Sequence, residues 1–155
     1  MWLKIFPWQR KNEFFTPEEK QLIVEAVRNA ERRTSGEVRV FIESRCPYMD
    51  AIDRAEQIFF KLQMQKTADR NAVIIYAALK DHQLAIYGDA GIHNKVGQQY
   101  WDREVQQMIS SFNRDNYAEG IRQCVIDVGE ALHTHFPFDN DTDKNELPDE
   151  VVFGK

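Results

Sequence analysis

Apolar positions recur along the chain with two periods, one helical and one extended. Thr16-Pro17-Glu18-Glu19 predicts a helix start: Thr16 caps, Pro17 fits the first helical position, and Glu19 closes a capping box against the positive helix end. Leu22, Ile23, Ala26, Val27 and Ala30 then share one face. Arg32 and Arg33 suit the negative C-terminal end, and Gly36 offers the left-handed backbone that stops a helix. The stretch from Glu37 to Glu43 alternates as a strand, with Val38, Val40 and Ile42 on one face and Phe41 on the other, until Cys46-Pro47 breaks it. Asp50 then caps a second helix whose stripe is Ala51, Ala55, Ile58, Phe59 and Leu62.

The run from Ala72 to Leu79 is apolar without alternation, as expected of a central strand covered on both faces. Strand, helix and buried strand make a right-handed crossover between parallel strands. The turn Lys80-Asp81-His82 is too short for another crossover, so the strand from Gln83 to Tyr87 runs back antiparallel and the sheet is mixed. Gly88-Asp89-Ala90-Gly91 ends the hairpin. A third helix carries Trp101, Val105, Met108, Ile109 and Phe112; a fourth, from Asn116, carries Tyr117, Ile121, Cys124, Val125, Val128 and Leu132. The expected organisation is an apolar and basic segment over 1–13, one α/β domain over 14–137 and an acidic tail over 138–155.

Charge narrows the partners. The chain has 155 residues with a formal net charge of −5, which argues against nonspecific binding to nucleic acid. Cys46 and Cys124 make no disulfide framework and no zinc motif, so a reducing compartment is expected. No apolar run is long enough to span a bilayer and no signal peptide is evident, so the expected location is cytoplasmic, with peripheral membrane contact open. Trp2, Leu3, Ile5, Phe6 and Trp8 either touch a membrane surface or protein partner, or cover an edge of the core.

Three loops are expected at one end of the sheet: the two that lead into the parallel strands and the one that leaves the third strand. They carry Glu37, Asp69 and Asp89, with the amide of Asn71 and accessible backbone at Gly88 and Gly91. Hard oxygen ligands on loops suit calcium, and magnesium less well. The alternative is local: Glu37 pairs with Arg39 or Arg33, Asp69 caps a turn, and Asp89 forms an Asx-turn. Glu43, Asp81 and His82 form a looser set at the opposite end, read as a solvated rim. Asp139, Asp141, Asp143 and Glu150 mimic the spacing of an EF-hand loop, but Lys144 replaces its glycine and Pro148 interrupts it. His133-Thr134-His135 lies near a helix end and reads as surface. Cysteine-phosphatase, serine-hydrolase and phosphate-loop motifs are absent from the sequence.

Several segments in order resemble the TPM-domain family: Thr34-Ser35-Gly36-Glu37, Thr67 with Arg70-Asn71-Ala72-Val73-Ile74-Ile75, Ala85-Ile86-Tyr87-Gly88-Asp89-Ala90-Gly91-Ile92, Trp101, and Phe136-Pro137 with Asn145-Glu146-Leu147-Pro148-Asp149. The resemblance implies a three-layer α/β/α sandwich around a small mixed sheet. It further implies, from family members that bind calcium at one end of the sheet, a site built from Glu37, Asp69, Asn71 and Asp89, with Arg70, Gly88, Gly91 and Trp101 around it. Family members include thylakoid proteins credited with acid phosphatase activity and membrane-receptor accessory proteins. Ala72 and the Gly88–Gly91 spacing depart from the plant-like pattern. Three functions stay open: a cation-binding accessory module, a metal-assisted phosphomonoesterase in which Arg70 holds the phosphate, and a structural domain with neither property.

Overall fold

The structure, a computed structural model, describes residues 15–138 and 151–153. In chain order the elements are α1 (Pro17–Glu31), β1 (Glu37–Glu43), α2 (Ala51–Lys61), β2 (Ala72–Ala78), β3 (Gln83–Gly88), α3 (Ala90–Val96), α4 (Gln98–Phe112), α5 (Tyr117–His135) and β4 (Val151–Phe153). The strands form one sheet in the order β3-β2-β1-β4. β1 is parallel to β2 and to β4, whereas β2 and β3 form the antiparallel hairpin.

Strand alternation divides the core in two. Val38, Val40 and Ile42 of β1, Val73, Ile75 and Ala77 of β2, and Ile86 of β3 pack with α1, α4 and α5 on one side. Ala72, Ile74, Tyr76, Ala78 and Ala85 face the opposite way and pack with Ala51, Ala55, Ile58 and Phe59 of α2. This is the three-layer sandwich. Every residue of β2 is buried, which is why that strand needs no polar alternation.

The capping box of α1 forms as expected: Thr16 Oγ1 accepts from the Glu19 amide at 3.1 Å, and Glu19 Oε1 accepts from the Thr16 amide at 2.9 Å. The end of α1 differs. Its cap is Arg32 in ordinary right-handed geometry, so Gly36 does not stop the helix. Gly36 matters for close approach instead, because a Cβ there would stand 2.9 Å from the Asn71 carbonyl oxygen and 2.8 Å from Leu132. Asp50 does precede α2, yet its side chain makes no capping bond.

Two elements were not foreseen. The chain turns into the short helix α3 directly after the hairpin, and Gly97, at φ +80°, provides the left-handed joint between α3 and α4. The tail reading over 138–155 is corrected at Val151–Phe153, which are buried and pair with Val40–Ile42. The EF-hand-like run over 139–150 and the segment over 1–13 lie outside the described residues.

Candidate binding cleft

The end of β3 sets the geometry. The Asp89 amide donates to the Ala72 carbonyl at 2.9 Å, extending the ladder one residue past Gly88. Asp89 then becomes the N-cap of α3, its side chain accepting from the Ala90 amide at 2.8 Å. Beside it runs the loop that leads into β2. Asn71 donates its amide to Thr67 Oγ1 at 3.1 Å, and Arg70 takes left-handed backbone at φ 51°. The Gly91 amide of α3 donates to the Arg70 carbonyl at 2.8 Å and pins this loop onto the helix. A non-glycine residue held at positive φ is strained, and here the contact with α3 holds it.

That backbone arrangement brings Arg70 to Asp89. Nε of Arg70 donates to Oδ2 at 2.6 Å and Nη2 donates to Oδ1 at 2.8 Å, a two-pronged charge-assisted pair. The carboxylate is 2% exposed while the arginine side chain is 51% exposed. Asp89 is thus a buried brace, and the guanidinium it holds remains open to solvent. The hydrogen bond to Asp89 and that carboxylate's charge raise the Arg70 pKa further above its ordinary value. Burial raises the Tyr87 hydroxyl above its usual range, helped by the charges of Glu56 and Asp89 and opposed by Arg70. Tyr87 is therefore neutral at neutral pH.

Arg70 and Asp89 line a cleft of about 370 Å3 with Tyr87, Gly88, His93 and Trp101, flanked by Ile52, Asn94 and Gln98. Trp101 is buried, and its indole N–H donates to His93 Nδ1 at 3.0 Å. The ring lies so close to Gly88 that a Cβ there would stand 2.9 Å from Cη2 and nearer still to Cζ2. Gly88 is glycine because the indole occupies that space.

Of the residues expected at the site, the cleft gathers Arg70, Gly88, Asp89 and Trp101. Gly91 supports it through the Arg70 carbonyl. Glu37, Asp69 and Asn71 are elsewhere. Glu37 is buried at the start of β1, paired in register with Ala72, so β2 separates it from Asp89 by about two strand spacings, roughly 10 Å. Asp69 is exposed on its loop. Asn71 is buried, donates to Ser35 Oγ at 3.1 Å, and leaves its Oδ1 without a hydrogen-bond partner.

Among the described residues no three His, Cys, Asp or Glu side chains form a group that could hold a metal ion. Both oxygens of Asp89 already accept bonds from Arg70 or Ala90, and calcium needs six or more oxygens.

The opposite rim also differs from expectation. Glu43 is not solvated: it accepts from Arg54 at 2.9 and 3.1 Å and from the Tyr76 hydroxyl, tying α2 to the sheet. Asp81 accepts from Arg45 Nη1 and the Cys46 amide. His133 Nδ1 lies 2.8 Å from the Arg33 carbonyl and fastens α5 to the end of α1. Sequence reasoning missed Tyr87, His93, Asn94, Gln98 and Ile52. The usable signal was Asp89 read as a helix cap, which would have placed His93 one turn on.

A family described as TPM domain matches residues 9–131. The chain is similar to the BA42 protein of the psychrophilic bacterium Bizionia argentinensis, at 39% identity over 92% of this chain and 97% of that one, with a TM-score of 0.82. It also shares its fold with the N-terminal domain of the cg2496 protein of Corynebacterium glutamicum, at 13% identity over 89% of this chain and 80% of that one, with a TM-score of 0.56. No curated protein matches. Among the described residues no helix is long and apolar enough to cross a membrane.

Proposed function

Because the chain belongs to the TPM-domain family, we propose that it is a binding module that takes a phosphoryl anion in the cleft between β3, α3 and α4. The observation that carries this reading is Arg70: a half-exposed guanidinium fixed in direction by a buried carboxylate. A planar cation held rigidly is well matched to a phosphate oxygen pair, since little side-chain freedom remains to be lost on binding. Arg70 donates to Asp89 from only one edge, leaving Nη1 for a ligand. The Nε2 side of His93 adds a donor around the same space.

Binding is favoured over turnover because, among the described residues, no serine, threonine or cysteine lines the cleft and the one carboxylate there is occupied by Arg70. A phosphomonoesterase is the second reading, supported by the nearness of His93 to that carboxylate in a single cleft. Inorganic phosphate titrated into the full chain, followed by amide and side-chain NMR, should shift Arg70 Nε–H, Trp101 Nε1–H and the Ala90 amide with one saturating curve. Arg70→Gln should abolish the response and His93→Ala should weaken it. An unchanged curve in Arg70→Gln sinks the proposal. Steady hydrolysis of 4-nitrophenyl phosphate by the purified chain, lost in His93→Ala, would move the second reading ahead. Calcium chloride run alongside tests the cation-binding expectation: a shift of the Glu37, Asp69 and Asp89 amides would support it, and none at millimolar calcium would count against it.

A further inference from the structure

The cleft has two unlike walls, and only one has a use in holding an anion. Arg70, His93 and Asn94 make the polar side. Ile52 and Tyr87 line the same cleft with apolar surface. Ile52 is the second residue of α2 and is 46% exposed, although that helix buries Ala51, Ala55, Ile58 and Phe59 against the sheet without it. The fold gains nothing evident from an isoleucine there. The Tyr87 ring is held edge-to-face by Phe59 at 4.9 Å and backed by Phe60 at 6.2 Å, so it is a rigid platform.

We propose that this wall selects the organic part of the ligand, so that the cleft takes a small phosphomonoester carrying a flat apolar group, an aryl phosphate, in preference to a polar one. The inference rests on the preceding reading that Arg70 holds the phosphoryl group. Tyr87 and Asp89 are two residues apart along one extended segment, hence on one face and about 7 Å apart. A single aromatic ring joined to a phosphate spans that separation, with the phosphate at the guanidinium and the ring between Ile52 and Tyr87. The volume of about 370 Å3 is near the lower end for ligand pockets, roughly 300–1,000 Å3, which favours one ring over a larger group.

The test uses the full chain and three probes: inorganic phosphate, glycerol 2-phosphate and phenyl phosphate, each titrated calorimetrically and by NMR. Phenyl phosphate should bind about five- to tenfold tighter than glycerol 2-phosphate, the return expected from covering a few tens of Å2 of apolar surface. Ile52→Gln, at an exposed position where folding should be unaffected, should erase that preference and leave inorganic phosphate unchanged. Tyr87→Leu provides the second variant, with its thermal melt recorded beside it. Phosphate binding without an aryl preference, or a preference that survives Ile52→Gln and Tyr87→Leu alike, overturns this inference alone. Failure of all three probes overturns the reading beneath it as well.

Discussion

The indole N–H of Trp101 donates to Nδ1 of His93 at 3.0 Å, joining the first turn of α4 to the middle of α3. A neutral imidazole that accepts at Nδ1 carries its own proton on Nε2. Trp101 thus makes His93 a hydrogen-bond donor beside Arg70, which an anion can use.

Trp101→Phe removes the donor while keeping an aromatic ring in place. The lost hydrogen bond should cost about 1 kcal/mol of stability, with a further loss for the smaller ring. The 15N shifts of His93 should move toward a mixture of tautomers, and phosphate affinity should fall roughly threefold, a difference of under ~1 kcal/mol. A retained Nε2–H tautomer in the variant would show that something other than Trp101 sets it.

Two glycines separate the halves of the cleft. A Cβ on Gly91 would stand 2.6 Å from the Arg70 carbonyl oxygen and closer still to that of Asp69, both backbone atoms with no freedom to swing away. Gly91→Ala must therefore lift the loop that carries Arg70, at a cost of about 1–3 kcal/mol, and the Arg70 Nε–H signal should lose its hydrogen-bonded shift. A Cβ on Gly88 meets the Trp101 ring instead. Gly88→Ala should cost about as much but move the Trp101 indole signal first. Urea midpoints and the two side-chain N–H resonances separate the cases; identical spectral changes in both variants would contradict the division.

Acid–base behaviour should be dominated by a group remote from the cleft. Glu104 is buried at the α4–α5 contact, where burial and a hydrogen bond to Asp127 push its carboxyl up to about 8, with Asp127's charge adding and Arg103 opposing. The folded chain thus binds this proton more tightly than the unfolded chain, in which a glutamic acid titrates near its ordinary value. The associated stability is fully present below about pH 4.5 and is lost progressively as pH rises through about 8. Over that window the difference should be on the order of a few kcal/mol. Glu104→Gln, which keeps a donor toward Asp127, should flatten the fall in urea midpoint between pH 5 and pH 8.5. A slope equal to that of the unaltered chain would assign the effect to other groups.

What the sequence made legible follows from where local chemistry and tertiary packing agree. The α1 capping box and the unbroken apolar run of β2 are complete within a few residues, so they could be read directly. Glu104 could not: it occupies the stripe of Trp101 and Met108, but a glutamate in such a stripe looks solvent-facing until its acidic neighbour on α5 is known. The loop carboxylates illustrate the same limit. Sharing one end of a sheet brought Arg70, Gly88 and Asp89 into one place, while Glu37 stands two strands away and Asp89 is paired with Arg70. Topology was readable; the choice of partner for each charge was not, because it depends on distances between strands.

Strand β4 was invisible for a related reason: three residues cannot show a period, and they follow a run rich in acidic residues that reads as tail. Yet Val151, Val152 and Phe153 are all buried against β1, and Phe153 packs edge-to-face on Phe15 at 6.0 Å with Lys20 Nζ 5.2 Å from its ring centre. Burying side chains of this kind returns roughly 1.5–3 kcal/mol each, against roughly 1–2 kcal/mol per residue of backbone entropy for ordering them. Removal of residues 151–155 should therefore lower stability by about 2–4 kcal/mol, and Phe153→Ala alone should reproduce most of that loss. The truncated chain also uncovers the hydrogen-bonding edge of β1, so light scattering should report concentration-dependent association that Phe153→Ala, with its strand intact, shows less strongly. Equal urea midpoints for the full and truncated chains would mean that β1 can serve as the sheet edge without its short neighbour.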